Sequence, residues 1–253
     1  MLVVGHPGHE LMVHGWLETA RPVVMVLTDG SGHTGVSRLH STAGVVSRAG
    51  AVPGSIFGRF TDAAVYRALL DRQVSLFADL VEELACIIVD QEIAIVAGDD
   101  AEGFNPTHDV CRLVIDAAVQ TARVRAGRPI SNYAFVLMDA PDAAIRQAGA
   151  APSTLTLGDA ELARKIGAAL GYPEMAREVA AGRERWGDEA FRVESFRHVR
   201  DGELWAPAGE APYYERFGRQ RVEEGAYREV ICYEQHVRPL ADLLHARSLR
   251  EAS

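Results

Sequence analysis

Two hydrophobic patterns alternate along the chain: short unbroken apolar runs, and longer stretches in which apolar residues recur every three to four positions. Leu2-Val3-Val4 is a run of the first kind that breaks at Pro7-Gly8, and residues 10–20 are of the second, with Leu11, Met12, Trp16 and Leu17 ahead of Arg21-Pro22. The first pattern reads as a buried strand and the second as a helix that proline ends. Residues 23–27 form a β-branched-rich strand ending in Thr28-Asp29-Gly30. Strand, helix, strand in that order implies a parallel unit with a right-handed crossover.

The alternation continues. It predicts a helix over 37–49, a short strand at Ile56-Phe57, and a long helix over 62–83 whose recurring face carries Leu69, Leu70, Leu76, Phe77 and Leu80. A compact run over 93–97 reads as a central strand, followed by an acidic loop, a helix over 107–122 and a strand over 133–138. From Asp139 the pattern loosens into helices over 159–170 and 174–185, a strand over 191–196, an irregular aromatic-containing stretch over 200–225 and a closing helix over 227–244. The fold class expected is α/β, Rossmann-like: a mostly parallel sheet with helices on both faces. Residues 1–139 would form the core and 140–253 a C-terminal cap on the same single domain, since no polar linker separates them.

Composition narrows the function classes. The 253 residues are 48% apolar, ample for a sizeable core. Thirty-five acidic against 26 basic residues give a net charge of −9, which argues against nucleic acid and anionic membrane as partners. Three unclustered cysteines, at 86, 111 and 232, indicate neither a disulfide framework nor a cysteine metal site, and a cytoplasmic location is the expectation. Lys165 is the only lysine, so Schiff-base chemistry is a poor fit. A homo-oligomer stays open.

The chemistry concentrates at two strand ends. His6 and His9 sit three apart on the turn after the first strand, and His108 follows the loop after the central strand. Open α/β sheets carry their ligands at the carboxyl ends of strands. A catalytic zinc takes three histidine or carboxylate ligands and leaves a position for water. Capping and surface roles at helix starts are the competing reading of the same histidines.

Gly5-His6-Pro7-Gly8-His9-Glu10 resembles the Ala-His-Pro-Asp-Asp-Glu signature of the PIG-L/LmbE-like N-deacetylases, and Asn105-Pro106-Thr107-His108-Asp109 resembles their His-Pro-Asp-His signature. The similarity extends weakly over about the first 195 residues, with Arg38 at the position of a substrate-contacting arginine. The resemblance implies a zinc-dependent hydrolase, or one using another divalent metal, in which metal-bound water attacks the amide of an N-acyl amino sugar or related small molecule. It also implies His6, His9 and His108 as metal ligands, His9 replacing a carboxylate. Gly8 stands where the family has its general base, and Asn105 where it has a charge-stabilising histidine.

A replacement base is then expected among Asp109, Asp99, Asp100 and Glu102. Asp109 serves equally well as a partner to a ligand histidine or as a helix-start carboxylate. Glu10 reads as a structural carboxylate, and His236 as either a carbonyl-polarising group or a solvent-facing helix residue. Arg38, Arg48 and Arg59 would form a basic patch for an anionic group on the substrate. Gly30-x-Gly32-x-x-Gly35 matches a dinucleotide fingerprint, but no acid occurs between Gly30 and Thr61 to hold a ribose. The alternative to hydrolysis is a metal-containing binding or accessory protein that has lost it.

Overall fold

The computed structural model describes residues 1–32, 35–146 and 153–250; His33 and Thr34 of the glycine-rich loop and residues 147–152 lie outside the described residues. Seven strands are present: β1 (Leu2–Val4), β2 (Val23–Thr28), β3 (Val52–Phe60), β4 (Ile95–Asp99), β5 (Ser131–Phe135), β6 (Ser153–Thr156) and β7 (Val193–His198). They form one sheet in the order β3-β2-β1-β4-β5-β7-β6, in which β7 pairs antiparallel with both neighbours and the other pairings are parallel. The helices are α1 (His14–Ala20), α2 (Leu39–Arg48), α3 (Asp62–Leu70), α4 (Val74–Asp90), α5 (Pro106–Ala126), α6 (Ala143–Arg146), α7 (Asp159–Leu170), α8 (Ala176–Trp186), α9 (Tyr213–Glu223) and α10 (Arg238–Arg250).

The period of two in the strands divides the core. Val3, Met25, Leu27 and Val96 face one cluster with α3, α4, α5 and α10, while Leu2, Val4, Val24, Val26 and Ala97 face a second with α1 and α2. Burial on both faces explains why β1, β2 and β4 read as unbroken apolar runs. The α/β expectation is met, with helices on both faces.

Several elements differ from their sequence expectation. The helix expected over 62–83 is two: α3 and α4 meet at Asp71-Arg72-Gln73, where Arg72 takes φ +52° and the Gln73 amide returns to the Ala68 carbonyl at 2.8 Å. β3 is nine residues long because it is an edge strand, where Pro53 and two glycines are tolerated. β6 and α9 lie in stretches that showed no clear period. Residues beyond 139 also enter the sheet, through β6 and β7, besides covering it.

The sole lysine is structural. Lys165 of α7 bonds Glu194 of β7 at 2.8 Å and the Met12 carbonyl at 2.7 Å, and Glu194 also accepts from the Gly15 and Trp16 amides at the start of α1. Both side chains are buried, so the pair ties three elements together behind the β1 turn. No helix among the described residues is long and apolar enough to cross a membrane.

Candidate metal centre

β1 and β4 are neighbours whose onward connections diverge, β1 towards β2 and β4 towards β5, so the crevice at their carboxyl ends is the switch point of the sheet. His6 lies just past β1, with Gly5 between. The chain turns at Pro7-Gly8 into a short 3-10 turn, His9–Val13, that brings His9 back over the strand end. On the other side, the Asn105 side chain accepts the Thr107 amide at 2.8 Å and caps α5, with Pro106 in its first turn and His108 following.

The three imidazoles meet. Ring centroids are separated by 5.2 Å (His6 and His9), 5.0 Å (His6 and His108) and 4.6 Å (His9 and His108), with planes inclined at 61°, 72° and 87°. One nitrogen from each ring lies within 4.8 Å of the others. Burial, with the neighbouring imidazoles adding to it, pushes His108 well below the usual histidine range; burial also lowers His6. Neutral imidazole is the form that ligates metals.

Two carboxylates stand behind the rings. Asp99, the last residue of β4, is fully buried; its Oδ2 accepts the Gly5 amide at 2.8 Å and lies 2.8 Å from His9 Nδ1. This bond joins the ends of β1 and β4 and puts the His9 proton on Nδ1, leaving Nε2 a lone pair. Asp62, the first residue of α3, has Oδ1 3.2 Å from His6 Nε2 and takes the Gly32 amide on Oδ2 at 2.6 Å. Burial opposes its charge, yet His6, Thr28 and the Gly32 amide hold Asp62 down at about 2. A carboxylate beside Nε2 favours the proton there, which leaves the lone pair on Nδ1.

The donor set fits a divalent metal. His6 Nδ1 and His108 Nδ1 are buried without a hydrogen-bond partner, a costly arrangement for polar atoms unless something fills the space between them. Three imidazoles, two with a carboxylate on the far nitrogen, are the ligands and supporting groups that zinc and its neighbours take.

Gly8 has left-handed backbone, φ +106°, and a Cβ built on it would lie 3.0 Å from Met175 Sδ. The place of the base in the resembling signature is therefore occupied by a thioether. Met175 also lies 2.9 Å from Arg38 Nη1, and Arg38 packs against Gly30 beside Pro7. Glu10 is fully buried and takes the Gly8 amide and the Thr42 hydroxyl, each at 2.8 Å, with Tyr172 behind Thr42.

Each acid expected as a base has a partner. Asp99 holds His9 and Gly5. Asp100 forms a two-point pair with Arg197 of β7, at 2.8 and 3.1 Å. Glu102 takes the Leu137 and Met138 amides, and burial pushes it up to about 7. Asp109 takes the Glu102 and Gly103 amides on Oδ1 and keeps a buried, unpartnered Oδ2; burial pushes it to about 7. His236 accepts the Cys232 amide on Nδ1 at 2.8 Å, a local turn bond, and is not in ring contact with the triad. Arg59 is engaged by Glu83 on the outer face of β3, so the three expected arginines do not act as one patch.

Asp62, Met175, Thr42 and Tyr172 were not legible as site residues, whereas Glu10, read from the sequence as a structural carboxylate, is the buried group that Thr42 and the Gly8 amide bond. A signal for Asp62 existed: like His6 it stands two positions after the last residue of a strand, but Pro53, Gly54 and Gly58 left only Ile56-Phe57 of that strand legible.

No protein-family model and no curated protein matches the sequence. Solved structures do match its shape. Teicoplanin deacetylase Orf2, in a zinc-inhibited form, superposes with a TM-score of 0.54 at 13% identity, over 79% of this chain and 99% of that one. The A40926 pseudoaglycone deacetylase Dbv21 superposes with a TM-score of 0.55 at 19% identity, over 80% of this chain and 98% of its own. The chain shares the α/β fold of these two deacetylases. A triple mutant of the Orf2 enzyme matches at 0.50 with 14% identity. At these identities the likeness is one of architecture, and the site rests on this chain's own residues.

Proposed function

We propose that this chain is a metal-dependent N-deacetylase, a hydrolase that removes an N-acyl group, N-acetyl foremost, from an amino sugar or related small molecule, with residues 1–253 acting as one domain. The observation that carries the reading is the meeting of three imidazoles at the switch point of the sheet, two of them backed by carboxylates. His6, His9 and His108 would hold the ion, zinc or another divalent metal, and a bound ion there supplies Lewis-acid polarisation of a carbonyl and a more acidic water.

The remaining roles belong to the chain itself. Asp99 on His9 Nδ1 and Asp62 on His6 Nε2 would fix each ring in orientation, with its other nitrogen turned to the ion. With no side chain at Gly8, the proton from water would pass to Asp62, whose Oδ1 lies beside the triad, 3.2 Å from His6 Nε2. Asp109, through its free Oδ2, is the second acid able to take it. Arg38 would set a positive charge at the rim, where an anionic group of the substrate could rest.

The test is acetate release from a panel of N-acetyl amino sugars by protein loaded separately with zinc, cobalt and manganese. Turnover should vanish in His108→Ala and fall roughly 10²–10⁴-fold in Asp62→Asn, the usual size of a general-base contribution. Protein that holds its metal and releases no acetate from any of them would reject hydrolysis. Met175 in the place of a base favours one other reading, a metal-containing protein that binds such ligands without cleaving them; it predicts that outcome together with saturable sugar binding.

A further inference from the structure

Aromatic residues are only 7% of the chain, yet four of them line up on its surface, starting in the loop that leads into the helix of His108. Phe104 lies in the loop that leads to Asn105 and His108. Its ring stacks on Tyr213 of α9 with centroids 4.8 Å apart and planes 4° from parallel, and Tyr213 stacks on Phe217, one turn along, at 5.8 Å and 17°. Phe217 meets Tyr227 edge-on at 6.5 Å. All four are 37–45% exposed, a contiguous apolar strip of the kind that marks a binding surface.

The strip is tied to the elements that carry the metal centre. Phe104 is four residues from His108, and the loop is fixed from beneath, where the Gly103 carbonyl takes the Tyr214 amide and Asp109 takes the Gly103 amide. Tyr227 and Asp62 both interact electrostatically with Tyr66, whose hydroxyl bonds Asn105, the cap of the helix that carries His108. The rings thus sit on the loop before α5, on α9 and on the segment after it, exposed rather than packed into the core.

We infer that this strip is a subsite for an aromatic ring carried by the ligand, remote from the N-acyl group; the inference rests on the deacetylase reading only for what occupies the neighbouring metal centre. At centroid separations of 4.8 and 5.8 Å the near-parallel rings are slid past one another, so part of each face stays open. A flat ring continues that step in the offset geometry aromatic pairs prefer. An alkyl chain gains nothing from the stepped faces and is better served by a closed groove. Arg221, already over the Tyr227 ring at 5.7 Å, shows that these faces accept a planar group.

The experiment compares 4-nitrophenyl with methyl N-acetyl-β-D-glucosaminide, binding by calorimetry and acetate release separately, in wild type, Tyr213→Ala, Phe217→Ala and Tyr213→Phe. Wild type should bind the aryl glycoside about tenfold more tightly, the worth of one good aromatic pair. The ratio should approach one in the two alanine variants and be kept in Tyr213→Phe. An aryl preference that collapses in the alanine variants supports the subsite even if no acetate is released, in which case the hydrolase reading alone fails. Equal affinity for the two glycosides, or a preference unmoved by either alanine change, overturns it. So does a concentration-dependent dimer, seen by sedimentation, that the same alanine changes abolish while no aryl preference is found.

Discussion

Restoring a carboxylate at Gly8 tests how far the local backbone has diverged from the signature it resembles. Gly8 holds φ +106° and ψ −21°, and any side chain there carries the left-handed penalty of roughly 1–2 kcal/mol. Its Cβ would also lie 3.0 Å from Met175 Sδ and 3.2 Å from both Cγ and Cε, so the thioether must leave its rotamer at a cost of about 1 kcal/mol. Gly8→Asp should therefore lose about 2–3 kcal/mol, a fall in Tm of roughly 5–10 °C for a chain of this size. Urea and thermal unfolding of metal-free protein measure it. Gly8→Asp in a Met175→Ala background should show a favourable coupling of about 1 kcal/mol, because the contact is gone while the backbone cost remains. Gly8→Asp as stable as wild type, or zero coupling with Met175, would refute the reasoning. If the double variant also gains acetate release over Met175→Ala alone, a missing base is what limits the parent.

Further outcomes follow from the same geometry. Asp99→Asn and Asp62→Asn each remove a carboxylate from the far side of a ligand ring and should weaken metal binding roughly 10–100-fold in a chelator competition. Lys165→Met leaves Glu194 buried and uncompensated, for a loss of about 3–5 kcal/mol by urea unfolding; adding Glu194→Gln should recover part of it. Glu102 has its pKa raised to about 7 from 4.5, so the native state holds its proton more tightly than the unfolded chain. Its contribution to stability is present below about pH 4.5 and lost as pH rises to about 7, by up to about 3 kcal/mol. Glu102→Gln should accordingly gain on wild type across that window in metal-free unfolding; a difference that does not change with pH would contradict it.

What the sequence disclosed about this fold follows from burial. β1, β2 and β4 are covered on both faces and stay apolar until their carboxyl ends, so they stand out as solid apolar runs, and with them the parallel core and the strand ends leading to His6 and His108. β3 sits at an edge with one side open, which admits Pro53, Gly54 and Gly58, leaves only Ile56-Phe57 legible as strand and so hides the role of Asp62 just beyond its end. α9 escaped notice because much of its aromatic surface, Tyr213 and Phe217, faces outward. The histidines were legible because their spacing survives in one dimension. Asp62, Met175 and Thr42 join them only through the sheet order, which brings positions 30 to 170 residues away to the same crevice.

His6, His9 and His108 are expected to hold one divalent ion between them. Elemental analysis and calorimetric titration of chelator-stripped protein with zinc, paired with the absorption spectrum of the cobalt form, test it most directly. One ion per chain in wild type, lost in His108→Ala and His6→Ala with the fold intact by circular dichroism, is the predicted result. Folded wild type that takes up no metal, or a His108→Ala variant that binds it as well as the parent, would contradict the account.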